Sequence, residues 1–114
     1  MLGVYVEPSG PPIGLKEVGA DITSLSVSWR QPTVTDRNGA IIKYTVYWKE
    51  AKSSGPFETI EVTGHQVGIF NLSGNTAYLF SVSAWTSFGE GPASGNMTAI
   101  THQGRKSMKE MRRR

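Results

Sequence analysis

The chain contains no cysteine. That excludes disulfides, thiolate nucleophiles and cysteine-based zinc sites, and it leaves the redox compartment open. No apolar run approaches the roughly 18–20 residues needed to cross a bilayer, so no membrane insertion is expected. The opening stretch, Met-Leu-Gly-Val-Tyr-Val-Glu-Pro, lacks a positive n-region and a long apolar core, and does not read as a signal peptide. Met1 reads instead as an added start on a piece excised from a longer protein. Histidine is scarce too. His65 and His102 stand far apart and form no local metal motif. Nothing resembles a nucleophile–histidine–acid set, so no enzymatic activity and no cofactor are expected.

A strong excess of charge of one sign is missing from most of the chain. The formal net charge is +3 over 114 residues. Residues 104–114 carry six Lys/Arg against one Glu, a net of +5, and the remainder carries six against eight, a net of −2. The basicity belongs to the tail, which disfavours a nucleic-acid-binding surface on the domain itself.

What is present is alternation. From Ile13 to Thr101 the apolar residues recur at every second position, the period of a strand with one buried face. Ile13, Leu15 and Val18 mark a first strand, and Leu25, Val27 and Trp29 a second. Gln31 to Gly39 holds Pro32, Asp36, Asn38 and Gly39 and reads as a loop. Tyr44, Val46 and Trp48 follow, with Lys43, Thr45, Tyr47 and Lys49 on the opposite face. Phe57, Ile60 and Val62 mark a shorter strand, and Val67 and Ile69 another. Tyr78, Phe80, Val82 and Ala84 make a long one; after a Gly-rich turn at Phe88 to Pro92, Met97 and Ala99 begin the last.

About seven strands at this spacing, without an intervening helix, imply an all-β, immunoglobulin-like antiparallel β-sandwich. Leu72, a polar turn and then Tyr78 form a corner between strands, with the ring in the core and the hydroxyl turned back to the corner backbone. The expected core holds Trp29, Tyr44, Val46, Leu72, Tyr78, Phe80 and Val82. Residues 1–10, rich in Pro and Gly from Glu7 onward, read as a linker, 11–102 as the domain, and 103–114 as a disordered basic tail.

Pro11-Pro12 with Leu15 and Val18, the Ser-Val-Ser-Trp29 strand, Pro32, Asn38-Gly39 with Ile41, Tyr44 and Val46, Leu72 through Tyr78, and Gly89-Glu-Gly91 with Ser94 stand in order. That combination resembles a fibronectin type III domain over residues 11–102. The resemblance implies strands A, B and E in one sheet, C, C′, F and G in the other, and D at the margin. Gly74 departs from the pattern, since the family often has Pro before the corner. No Trp-Ser-x-Trp-Ser and no Arg-Gly-Asp occurs, so neither cytokine nor integrin binding carries over.

Strand parity places Leu79, Ser81, Ser83 and Trp85 on the outer face, making Trp85 an exposed aromatic beside the Gly-rich turn. Trp85, Phe88 and Tyr47 are candidate protein contacts, as are Arg37 and Asn38 in the loop expected at the same end. Asn71-Leu-Ser73 and Asn96-Met-Thr98 are sequons, giving Asn71 and Asn96 as glycosylation candidates. Arg105, Lys106, Lys109, Arg112, Arg113 and Arg114 are candidate contacts for a polyanion such as heparan sulfate. The expected function is a non-catalytic spacer and protein-binding module of a cell-surface receptor or adhesion protein. It would be monomeric, extracellular, and in contact with other proteins and its own neighbouring domains. Two alternatives stand: an intracellular module of a giant muscle protein, and a polyanion binder acting through the tail.

Overall fold

The computed structural model describes residues 6–104. Eight strand segments form two antiparallel sheets: β1 (Ile13–Ala20), β2 (Leu25–Arg30), β3 (Lys43–Glu50), β4 (Glu58–Val62), β5 (Gln66–Ile69), β6 (Ala77–Thr86), β7 (Gly89–Glu90) and β8 (Met97–Ile100). One sheet has the order β1-β2-β5. The other runs β4-β3-β6, and both β7 and β8 pair with β6. β7 meets β6 at Trp85 and Thr86, and β8 meets it at Ala77 to Phe80. They are two parts of one edge strand, interrupted around Pro92. Taken together they give the seven strands of the expected sandwich, divided as A, B, E and C′, C, F, G.

The alternation read from the sequence is what closes the layers. Leu25, Val27 and Trp29 from β2 meet Tyr44 and Val46 from β3 and Tyr78, Phe80, Val82 and Ala84 from β6 in one buried cluster, which Ile69, Leu72 and Ala99 complete. Trp29 is 2% exposed, and its ring meets Tyr44 edge-on at 5.4 Å between centroids. Such an aromatic pair adds about 0.5–1.5 kcal/mol beyond the area it buries. Burial raises the pKa of the Tyr44 phenol, and the nearby Arg37 charge opposes this.

Two local expectations change. Val18 is exposed rather than inward, and Ile60, though it lies opposite the buried Val46, is exposed at the margin of the sheet. At Val18 the cause is a register shift between Glu17 and Gly19, one of two in the β1–β2 pairing; an irregularity of this kind turns side chains off the alternation. The Gln31–Gly39 loop also contains a single helical turn, α1 (Val34–Arg37), closed by Asn38 in the left-handed conformation at φ 55°.

The strand corner forms as expected. Tyr78 is buried, and its hydroxyl accepts the Ser73 amide at 2.8 Å. Thr101 reinforces the corner from the chain end. Its hydroxyl donates to the Ser73 carbonyl at 2.7 Å and accepts the Thr76 amide at 3.0 Å. Gly74 is not the left-handed residue here. Asn71 (φ 63°) and Asn75 (φ 50°) are, whereas a Cβ on Gly74 would sit 3.2 Å from the Ile22 side chain.

Candidate interaction surfaces

The outer face of the larger sheet follows from pairing. Lys43 lies opposite Trp85, Thr45 opposite Ser83, and Tyr47 opposite Ser81. Glu90 of β7 lies opposite Trp85, and Glu61 of β4 opposite Thr45. Paired residues in an antiparallel ladder share a face and touch. The hydroxyls of Tyr47 and Ser83 both donate to the same carboxylate oxygen of Glu90. The Trp85 indole N–H donates to the Thr45 hydroxyl at 2.8 Å. Lys43 Nζ stands 4.4 Å from the Trp85 ring centroid and 3.0 Å from the Glu61 carboxylate. At the far side the Tyr47 ring meets Phe57 edge-on at 6.5 Å, with Lys49 Nζ 4.8 Å above the Phe57 ring.

The result is a braced polar and aromatic face. Thr45, Ser81 and Ser83 belong to the outer face yet are buried beneath its longer side chains. Trp85 is half-buried, not the exposed aromatic expected from parity alone. A ring clamped by a hydrogen bond and a cation loses little conformational freedom when a partner arrives, which is the economy of a rigid contact surface. Burial, followed by the hydrogen bond to Glu90, raises the pKa of the Tyr47 phenol. The Ser83 contact works against that rise, while the Glu90 and Glu61 charges add to it. A hydroxyl as fully buried as that of Ser83, and held by a carboxylate, is out of reach of a substrate. Among the described residues no group of three or more His, Cys, Asp or Glu could hold a metal ion.

The loop end is arranged differently from expectation. Arg37 Nε donates to the Pro32 carbonyl at 2.9 Å, and Asn38 Nδ2 donates to the Glu7 carbonyl at 3.2 Å. Both side chains are engaged within the molecule. The segment 6–10, read from sequence as linker, packs on this end. The Ser9 amide donates to the Asp36 carbonyl at 2.8 Å, the Thr86 hydroxyl donates to the Val6 carbonyl at 2.8 Å, and Pro8 is fully buried. Phe88 stays largely exposed at the tip of the β6–β7 turn.

Asn71 is exposed beside the corner, and Asn96 is exposed just ahead of β8. Arg105, Lys106, Lys109, Arg112, Arg113 and Arg114 lie outside the described residues. Sequence reasoning missed Glu90, the carboxylate on which the outer face converges. It stood inside a Gly-rich turn, and only the pairing of β7 with β6 brings it over Ser83. No helix among the described residues is long and apolar enough to cross a membrane.

The model of the fibronectin type III domain matches residues 10–100. The chain belongs to the fibronectin type III family. A fibronectin type III domain is a non-catalytic module, and the sandwich described above is its fold. The chain is 34% identical to human receptor-type tyrosine-protein phosphatase F over 94 residues, which is 82% of this chain and 5% of that protein. It is 33% identical to Gallus gallus protein sidekick-2 over 99 residues, 84% of this chain and 4% of that protein. This fibronectin type III chain therefore spans about a twentieth of such relatives. Among solved structures it superposes on the third fibronectin III domain of human KIAA0343 protein with a TM-score of 0.77 at 19% identity, covering 91% of this chain and 90% of that one. On a titin fragment the TM-score is 0.75 at 24% identity, covering 84% of this chain and 33% of that one. Those two likenesses concern the fold. The family and its relatives make this a modular protein-interaction domain.

Proposed function

We propose that this domain is a non-catalytic spacer and protein-binding module of a larger cell-surface receptor, working on the extracellular side. The carrying observation is the outer face of the larger sheet, where Trp85, Tyr47, Ser83 and Lys43 are held in place by Glu90, Thr45 and Glu61. Aromatic anchors at a centre and charges at its rim are the composition of a protein contact surface. The receptor setting draws on the identity to a receptor-type phosphatase, whose catalysis is not carried by this segment. Asn71 and Asn96 are exposed and would carry glycans in that setting, and the six Lys/Arg of residues 104–114 supply the charge that a polyanion would contact there.

Antibody against this module, applied to intact cells expressing the native chain, tests the setting. Staining without permeabilisation and a glycan-shifted mass are expected. Staining only after permeabilisation would move the module inside the cell. Trp85→Ala and Tyr47→Ala test the face: each is expected to weaken capture of the receptor's binding protein while leaving the fold intact. Unchanged capture by both variants would remove the face from the function.

A further inference from the structure

We infer that an N-linked glycan on Asn71 folds back onto this module, its first sugar lying against Phe70 in the groove between the β3–β4 turn and the strand corner. That role deepens the extracellular setting proposed above and rests on it.

The groove has a volume of about 490 Å³, within the ~300–1,000 Å³ common for small-molecule sites. Trp48, Pro56, Phe70 and Asn71 line it, together with Glu50 and Glu58. Phe70 is 70% exposed, although Ile69 before it and Leu72 beyond it are buried. Its ring lies close to β5 over Gly68, where a Cβ would stand 3.2 Å from it. An aromatic ring held against a strand and open to a groove is a platform without an occupant of its own. The Glu50 and Glu58 carboxylates have no hydrogen-bond partner among the described residues.

The occupant follows from the sequon, because Asn71 stands in the same groove. The backbone around it is pinned. The Leu72 amide donates to the Thr23 carbonyl at 2.9 Å, and the Ser73 amide donates to the Tyr78 hydroxyl at 2.8 Å. The Asn71 side-chain amide is exposed and makes no hydrogen bond among the described residues. On glycosylation Asn71 Nδ2 bonds to the anomeric carbon of N-acetylglucosamine and the amide gives up one proton. The lipid diphosphate that carried the sugar leaves with the electron pair of the broken C–O bond. The face of an aromatic ring carries partial negative charge, which the C–H-rich face of a pyranose complements. Sugar hydroxyls can donate to the two carboxylates. A sugar tethered to a fixed backbone has a high effective concentration at the groove and loses little freedom on settling there. Asn96 has no such seat. A Cβ on its neighbour Gly95 would meet nothing within 4 Å, so a glycan there projects into open solvent.

The test compares the chain made in bacteria with the chain secreted from mammalian cells and trimmed to the first sugar. Asn96→Gln, which leaves Asn71 as the glycosylated site, is expected to melt about 4 °C or more above its bacterial counterpart. The N-acetyl methyl of its sugar is expected to show nuclear Overhauser contacts to the Phe70 ring. Asn71→Gln, with sugar at Asn96 alone, is expected to melt with its bacterial counterpart. Adding F70A to Asn96→Gln is expected to abolish the melting difference while leaving the unglycosylated fold intact. A sugar on Asn71 that lacks either the contacts or the melting difference overturns the inference. So does a secreted chain left bare at Asn71, or self-association of the bacterial chain that F70A abolishes. Each of these leaves the extracellular setting standing. Staining of native cells only after permeabilisation overturns the setting and this inference together.

Discussion

The two ends of the sandwich are built by opposite means. At the corner end the decisive bond joins Ser73 to Tyr78, five residues apart, and the ring that makes it is also a core residue. At the loop end the bonds join Asn38 to Glu7 and Thr86 to Val6, 31 and 80 residues apart. The corner is a local motif that a short stretch of chain can specify. The loop end exists only after the sheets have closed and brought distant segments together. Corner defects should therefore unfold the molecule, whereas loop-end defects should loosen it locally.

Tyr78→Ala is the harshest test of that contrast. It should cost about 3–5 kcal/mol, by the loss of a buried aromatic side chain, in equilibrium denaturation. Removing only the hydroxyl, in Tyr78→Phe, strands the Ser73 amide and should cost about 1–3 kcal/mol. Thr101→Val should fall in the same range, about 1–3 kcal/mol, because Thr101 is buried and its hydroxyl serves both Ser73 and Thr76. If Tyr78→Phe or Thr101→Val melts like the parent, the corner is not the fastening described.

At the other end Thr86→Val removes the bonds to the Val6 carbonyl and from the Phe88 amide. The expected cost is about 1 kcal/mol, with faster amide exchange confined to residues 6–10 and the β6–β7 turn. A cooperative drop in melting temperature as large as that of Tyr78→Phe would erase the distinction between the ends. The mildest probe is alkali. Folding raises the pKa of Tyr44 and Tyr47, so the native form keeps protons that the unfolded chain surrenders near pH ~10. Their contribution to stability is complete below that pH and is lost as the pH climbs through the raised native values. Both rings lie on β3, on the two faces of the larger sheet. Tyrosinate absorbance from these two rings should therefore appear late in a native titration, and Tyr47→Phe should remove one of the two late components.

The same contrast explains what could be read in advance. Period-two alternation exposed both sheets, because a residue such as Val46 or Phe80 carries its burial in its own chemistry. Parity placed Thr45, Ser83 and Trp85 on one face. It could not say that Ser83 would be covered or Trp85 clamped, since that depends on Glu90 arriving from another strand. The linker reading of residues 6–10 was drawn from Pro and Gly content. Composition describes the free segment; the burial of Pro8 against Gly91 and the bond from Ser9 to Asp36 are products of tertiary closure. Arg37 and Asn38 looked like loop residues available to a partner, and each turned out to be holding the backbone.

The gap in the final strand also bears on life in a crowded medium. An unbroken outermost strand offers a continuous row of amides and carbonyls on which another chain can template itself. Here the last strand is paired at Gly89–Glu90, stops around Pro92, and resumes at Met97. β1, the boundary of the opposite layer, is dislocated twice. The other two edge strands, β4 and β5, are five and four residues long. No margin among the described residues presents a long straight ribbon, so copies strung close together can meet repeatedly without fusing into shared sheets.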